Sequence, residues 1–216
     1  MRTKKLTFLI TSGPTREYLD PVRYLSNASS GKMGCALAMA AHRQGHRVIF
    51  VTGPAVHASP RGARIVTVIS ARDMFRQVKK WLPQADIVIG AAAVSDYRPR
   101  SVSARKIKKS DVDCTLSLVE NPDIIGFVGT HKSRAVVVGF ALETADATKR
   151  AQKKLFKKNL DLIVANGPRS LDSAKTSACI IGRNGLVARR EKITKSLLAG
   201  EIVHESLRLH KNNFAD

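Results

Sequence analysis

The segment RAQKKLFKK, residues 150–158, packs five cations into nine positions. On a helix, Lys154 and Lys158 fall one turn apart on a single face, and Arg150 extends the row by another turn. Aligned cations without acidic partners repel by about 0.2–0.5 kcal/mol per pair unless an anion compensates. The row is therefore either a phosphate clamp or a solvated face. A second basic group, RKIKK (105–109), holds four cations in five residues. In an extended chain Lys106 and Lys108 share one face, while Ile107 points inward as an anchor. Such a segment closes over a polyphosphate as a lid does, or serves as a solvated loop or a nucleic-acid contact. In NPDII (121–125) Asn121 is placed as helix N-cap, Pro122 as the first helical residue and Asp123 next. The free amides of a helix start suit a phosphate, though a well-capped helix needs no ligand. RYLSNASSGKMG (23–34) sets Gly31-Lys32 at another helix start. It is no P-loop: Ser26 stands where the first glycine belongs, and Met33 where a Ser or Thr must follow the lysine. Asp96, just past an apolar run, is positioned to hold a nucleotide hydroxyl or a Mg²⁺ ion, or else to pair with Arg98.

No nucleophile–base arrangement accompanies these groups. The six histidines (42, 46, 57, 131, 204 and 210) are scattered through helix-like and turn-like stretches, and they read as surface or structural. There is no GxSxG and no ligand cluster at metal spacing. What remains is chemistry by positioning and charge stabilisation, as in nucleotidyl transfer. The net charge of +20, from 37 Lys+Arg against 17 Asp+Glu, favours anionic partners. Aromatics make up only 5%, which disfavours a nucleic-acid partner; the charge sets the sign of the ligand and not its identity. Cys35, Cys114 and Cys179 lie far apart, as expected of reduced thiols filling apolar space in a cytoplasmic protein. The apolar run LTFLI is too short for a membrane span or a signal-peptide core, so no membrane association is expected.

Strand-like and helix-like stretches alternate along the chain. Strands are expected at 6–11, 47–53, 63–69, 86–94, 114–119, 135–143 and 161–167, with a hairpin over 177–190 turning at Asn184-Gly185. Helices are expected at 32–46, 70–84 (breaking at Pro83), from Asn121, at about 145–159 and at 195–210. Residues 96–113 form a long polar loop, and loops of that length inside a domain are usually functional. With 44% apolar residues and no linker, the pattern predicts a single α/β domain over 1–216. Its form is a three-layer sandwich, a Rossmann-like mainly parallel sheet with helices on both faces and a C-terminal hairpin. Ligands of such sheets bind beyond the carboxyl ends of the strands, here after residues 11, 53, 93, 119, 143 and 167.

Together, TSGPTREYLDPVRYLSNASSGKMG, AAAVSDYRP, KIKK, NPDII, VVGFALET and KKNLDLIVANG, in that order up to residue 167, resemble the phosphopantothenate–cysteine ligase (phosphopantothenoylcysteine synthetase) family of coenzyme A biosynthesis. The resemblance implies that 4′-phosphopantothenate and L-cysteine are joined with CTP (ATP in eukaryotes) and Mg²⁺ through an acyl-nucleotidylate. It assigns Asn27 to the pantothenate carboxylate and the intermediate, and Arg23 to the same substrate. Lys106 goes to formation of the intermediate, and Gly90, Ala91, Ala92, Asp96 and Phe140 to the nucleotide. Asn121, Pro122, Asp123 and Ile124 become the phosphate-binding helix start, and Lys154 and Lys158 the triphosphate clamp. Ser29, Ser30 and Lys32 are then candidates for the phosphate of pantothenate, by helix-terminus physics.

The resemblance further implies a homodimer, and a stand-alone ligase without FMN whose decarboxylase partner is separate. The family often has Asp and Asn where this chain has Gly167 and Thr176, and no site residue is placed there. A dinucleotide oxidoreductase is disfavoured because only Gly31 and Gly34 remain of its fingerprint, and because no acid ends the second strand at VTG. A nucleic-acid module has only the charge in its favour.

Overall fold

A computed structural model describes residues 4–55, 60–109, 115–142, 147–167 and 175–214. In chain order its elements are β1 (Thr7–Ser12), β2 (Arg16–Tyr18), β3 (Tyr24–Ser26), α1 (Lys32–Arg43), β4 (Arg47–Thr52), β5 (Arg64–Thr67) and α2 (Ala71–Trp81). A short 3₁₀ turn, Leu82–Gln84, leads to β6 (Ile87–Gly90), β7 (Tyr97–Pro99), β8 (Leu118–Glu120) and α3 (Ile124–His131). The chain then runs through β9 (Val136–Leu142), α4 (Ala147–Lys157), β10 (Leu162–Asn166), β11 (Lys175–Gly182), β12 (Gly185–Thr194) and α5 (Lys195–Phe214).

Eight strands form one sheet in the order β5-β4-β1-β6-β9-β10-β11-β12. The first six are mutually parallel, and the last two run antiparallel as a hairpin. The expected three-layer, Rossmann-like sandwich is what the chain forms. Alternation along β1 shows why: Phe8 and Ile10 pack with Leu37, Leu198 and Ile202 of α1 and α5, whereas Leu9 packs with Met74, Val128 and Leu155 of α2, α3 and α4. A strand buried on both faces reads as an unbroken apolar run. Among the described residues no helix is long and apolar enough to cross a membrane.

Several elements depart from expectation. The run 86–94 is strand only to Gly90; beyond it a single bridge, Pro14 to Ala93, ties the β6 loop to the β1 loop. β8 joins β7 in a separate two-stranded ribbon instead of extending the main sheet, and β2 pairs with β3 in another. Cys114 and His57 lie outside the described residues, as do 110–113 of the long loop. The hairpin turns at Arg183-Asn184, between paired Gly182 and Gly185, because Gly185 takes the positive φ of 112° after the turn. Pro83 falls inside the 3₁₀ turn that follows α2, and α5 runs four residues past the expected 210.

α3 approaches the end of α4 so closely that a Cβ on Gly129 would stand 1.8 Å from the carbonyl oxygen of Lys158. The contact is locked by Asn159, whose amide donates to the Gly129 carbonyl over 2.7 Å. Gly129→Ala should therefore destabilise the fold by about 1–3 kcal/mol, read from urea unfolding. Gly200→Ala in α5, where an added Cβ meets nothing within 4 Å, should instead stabilise by about 0.5–1 kcal/mol.

Candidate active site

The strand order reverses between β1 and β6, and a cavity of about 360 Å³ opens beyond the carboxyl ends of β6 and β9 at that point. Gly90 and Ala92 form one wall with Thr11 of β1, and Phe140 of β9 lies alongside. Asn121, Pro122, Asp123 and Ile124 form the opposite wall; Asp96, Lys154 and Lys158 complete it. Ten of the twelve predicted nucleotide residues thus converge on one space. Ala91 does not line it, its N–H being turned to the Thr11 carbonyl at 3.2 Å. Lys106 also stands outside. A Cβ on Gly90 would come within 2.8 Å of Ile125 Cδ1, so a side chain there would force Ile125 to shift.

The helix start differs from the sequence reading. α3 begins at Ile124 with Asp123 as its N-cap, the carboxylate accepting from the Gly126 N–H at 3.0 Å. Asn121, expected to be the cap, is engaged elsewhere. Its amide donates to the Ser95 carbonyl at 2.9 Å, and its backbone N–H to the Asp96 carbonyl at 2.8 Å. Arg98 donates to the Asn121 side chain and to the Glu120 carbonyl, not to Asp96. The β8–α3 segment is thereby stitched to the β6 loop, and Asp96 is left exposed at the cavity rim.

On α4 the buried Ala151 and Leu155 set the helix phase. Lys154 and Lys158 come out half-buried in the cavity wall, while Lys153, Lys157 and Arg150 are exposed. The expectation of cations without acidic partners fails at Lys158, whose ammonium lies 2.7 Å from Asp123. Lys154 Nζ donates to the Phe140 carbonyl at 3.4 Å. Burial pushes the Asp123 carboxyl up, but the Lys158 ammonium, the Gly126 N–H and the Lys154 charge together outweigh it and hold the group below its ordinary range. Asp123 is thus a fixed anion that orients Lys158, leaving further ammonium protons for a ligand.

The Asn27 loop meets the same strand end from the other side. Asn27 Nδ2 donates to the Ala93 and Val94 carbonyls at 3.2 and 3.0 Å. Ser29 and Ser30 lie in the loop that follows, and Lys32 opens α1 after Gly31, whose φ is 77°. These three residues do not line the cavity.

Arg23 has a partner that sequence reasoning missed. Asp20 is fully buried; its Oδ1 accepts the N–H groups of Val22 and Arg23, and its Oδ2 accepts the Arg23 guanidinium and the Ile107 N–H. Arg23 also donates to the Ile107 carbonyl at 2.5 Å. Residue 107 is therefore clamped through its backbone while Lys106 and Lys108 on either side stay exposed.

Residues 3–209 match the family described as the DNA/pantothenate metabolism flavoprotein C-terminal domain. The chain belongs to that family. It is 42% identical over 211 residues to the coenzyme A biosynthesis bifunctional protein CoaBC of Escherichia coli K12, covering 93% of this chain and 52% of that protein. The chain spans about half the length of the curated relatives it matches. The crystal structure of the C-terminal domain of a CoaBC protein superposes with a TM-score of 0.83 at 36% identity, covering 95% of this chain and 96% of that one. A Cab2 mutant in complex with phosphopantothenate–cysteine shares the fold, with a TM-score of 0.82 at 18% identity over 97% of this chain and 88% of the other.

Among the described residues there is no group of three or more His, Cys, Asp or Glu able to hold an ion. The carboxylates at the cavity are Asp96, Glu120 and Asp123, the last already paired with Lys158. Asp96 and Glu120 are both exposed there, and two single carboxylates suit a hard cation that keeps most of its ligands from water and bound oxygens.

The Asp20 hub was readable only in part. Asp-Pro followed by two further residues is an Asx-turn signal, but the contact to Ile107, 87 residues away, leaves no trace in sequence. Burial raises the Asp20 carboxyl, yet the Arg23 guanidinium and three backbone N–H donors outweigh it and hold the group well below the carboxylate range. Its contribution to stability is therefore present above the ordinary value near 4 and is lost as the pH falls toward the depressed folded value. Asp20→Asn should speed tryptic cleavage after Lys106, Lys108 or Lys109 by about tenfold or more at neutral pH. The stability gap between wild type and variant, from urea unfolding, should shrink steadily below a pH of about 4.

Proposed function

We propose that the chain is a phosphopantothenate–cysteine ligase of coenzyme A biosynthesis that uses CTP, with Mg²⁺, through an acyl-cytidylate. The observation that carries this reading is the cavity at the β1/β6 reversal, where a helix start and two half-buried lysines face Gly90, Ala92 and Phe140. Family membership and the likeness to CoaBC support the choice of substrates.

The nucleotide lies in the cavity with its base and ribose against Gly90, Ala92, Phe140 and Asp96. Its phosphates meet Lys154, Lys158 and the free amides of α3. Asn27 holds the pantothenate carboxylate by an amide that adds no charge, one N–H exchanging its loop carbonyl for the carboxylate while the other keeps the side chain anchored. Ser29, Ser30, Lys32 and Arg23 serve that substrate's other end. A carboxylate oxygen attacks the α-phosphorus, the bond to the β-phosphate breaks, and pyrophosphate leaves. Lys106, carried by the clamped loop, neutralises charge accumulating at the α-phosphate. The cysteine amine then attacks the acyl carbon, CMP departs with the bonding pair, and the ammonium proton goes to solvent.

Product mass and pyrophosphate, followed with CTP or ATP, Mg²⁺, phosphopantothenate and cysteine, test the reading. Cysteine-dependent amide with CTP is expected; its absence with either nucleotide would sink the proposal. Lys106→Gln should abolish pyrophosphate release. Asn27→Asp should still release pyrophosphate but form amide slowly, and Lys158→Gln should raise the nucleotide KM by about tenfold. Wild-type behaviour of all three would show the site to be misassigned.

A further inference from the structure

A second concavity lies at the opposite end of the sheet. Its volume is about 740 Å³, and it is walled by the amino ends of β1, β4 and β5 and the carboxyl ends of α1 and α2. Three full cations line it, each from a different segment: Lys5 before β1, Arg47 at the start of β4 and Arg64 at the start of β5. No carboxylate lines it. The neighbouring acid, Asp86, is engaged by the Thr7 N–H at 2.7 Å.

Cations beside a helix carboxyl end often just complement its dipole. That accounts for His42 in the last turn of α1, but not for Lys5, Arg47 and Arg64, which stand on or beside strands. None of the three forms an ion pair with a described residue. The wall is also built, not merely left open. Gly62, at φ 79°, passes so close to the His42 ring that a Cβ would stand 2.3 Å from it. His46 is buried with Nδ1 accepting from the Leu6 N–H at 3.3 Å, so its neutral ring carries the proton on Nε2 and adds a donor. Two guanidinium forks and an ammonium, all solvent-exposed and lining one concavity without a carboxylate in its wall, suit the oxygens of a phosphate group. The volume exceeds what a lone phosphate needs and falls in the range of about 300–1,000 Å³ typical of small-molecule sites.

We propose that this cavity is a second anion site, separate from the active site, which takes a small phosphate-bearing molecule through Lys5, Arg47 and Arg64. The proposal does not rest on the ligase reading. Its reporter is built in: Trp81, the single tryptophan of the chain, lines this cavity and not the active site. The Arg64 guanidinium sits 4.9 Å from its ring centroid, so a ligand that draws Arg64 toward a phosphate changes the indole's surroundings.

The experiment titrates the full chain with ribose 5-phosphate, inorganic phosphate and ribose at ionic strength held constant with chloride, following tryptophan fluorescence. A saturable change with ribose 5-phosphate and none with ribose is expected. Tighter half-saturation for the ester than for inorganic phosphate identifies a phosphate ester as the ligand; equal values identify free phosphate. The double variant Lys5→Ser/Arg47→Ser, neither residue lying over the indole, should weaken the response at least about tenfold with an unchanged melting temperature, while Lys158→Gln leaves it intact. No saturable response to either phosphate compound, an equal response to ribose, or a response that survives the double variant would overturn the proposal. The ribose comparison uses wild-type protein alone and so decides even if the double variant fails to fold.

Discussion

A parallel sheet whose crossovers all have one hand cannot reverse its strand order without opening a gap at the reversal. In this chain the reversal lies between β1 and β6. The connection leaving β1 carries α1 to one face, while the connection leaving β6 carries α3 to the other, so no helix covers the strand ends between them. Those ends leave irregular backbone whose polar groups need partners. The chain meets the demand by zipping the loops together: Ala93 N–H to the Gly13 carbonyl, Ser95 N–H to Thr15 Oγ1, Asn27 to two carbonyls, and Asn121 to Ser95 and Asp96. The walls of the cavity are the product of that zipping.

Acids are scarce, and where they sit shows how the excess of cations is tolerated. Asp20, Asp73, Asp86, Asp123 and Asp161 each accept a backbone N–H, from Val22, Ser70, Thr7, Gly126 and Val137 respectively. Four of the five also hold a cation: Arg23, Arg76, Lys158 and Lys132. Each such carboxylate is fixed by the backbone before it meets its partner, so it positions the cation instead of wandering with it. Arg183, Arg190 and Arg208 pair with Asp161, Glu201 and Glu205, and the net excess of positive charge that is left favours mobile anions at the surface.

The layers were legible because buried parallel strands and amphipathic helices imprint periodicity on the sequence, as in the alternation of Phe8, Leu9 and Ile10 between two cores. The site was legible in its residue types. Gly90, Phe140 and the Lys154/Lys158 pair come from three separate segments, β6, β9 and α4, and the topology alone brings them together. What escaped was tertiary. Asn121 has the chemistry of an N-cap, yet long-range partners at Ser95 and Asp96 claim it and pass the cap to Asp123. The three-residue strands β2, β3, β7 and β8 are too short to show a period, and the Asp20–Ile107 contact joins segments with no sequence relation.

Helix phase finally explains why a stretch as repetitive as KKLFKK yields a clamp and not merely a charged surface. Each Lys-Lys pair presents its two members about 100° apart around the axis, so at most one of each can face inward. Ala151 and Leu155, both fully buried, decide which. Leu155 lies three residues from Lys158 and one from Lys154, and its insertion into the core turns both toward the cavity while Lys153 and Lys157 face solvent. Burial of a leucine is worth about 1.5–3 kcal/mol, several times the roughly 0.2–0.5 kcal/mol by which two lysines one turn apart repel. The hydrophobic anchor therefore wins over the repulsion, and it can hold Lys154 and Lys158 together before any anion arrives. Asp123 relieves what repulsion is left at Lys158 from the opposite wall, which ties the helix that offers free amides to the helix that offers ammonium groups.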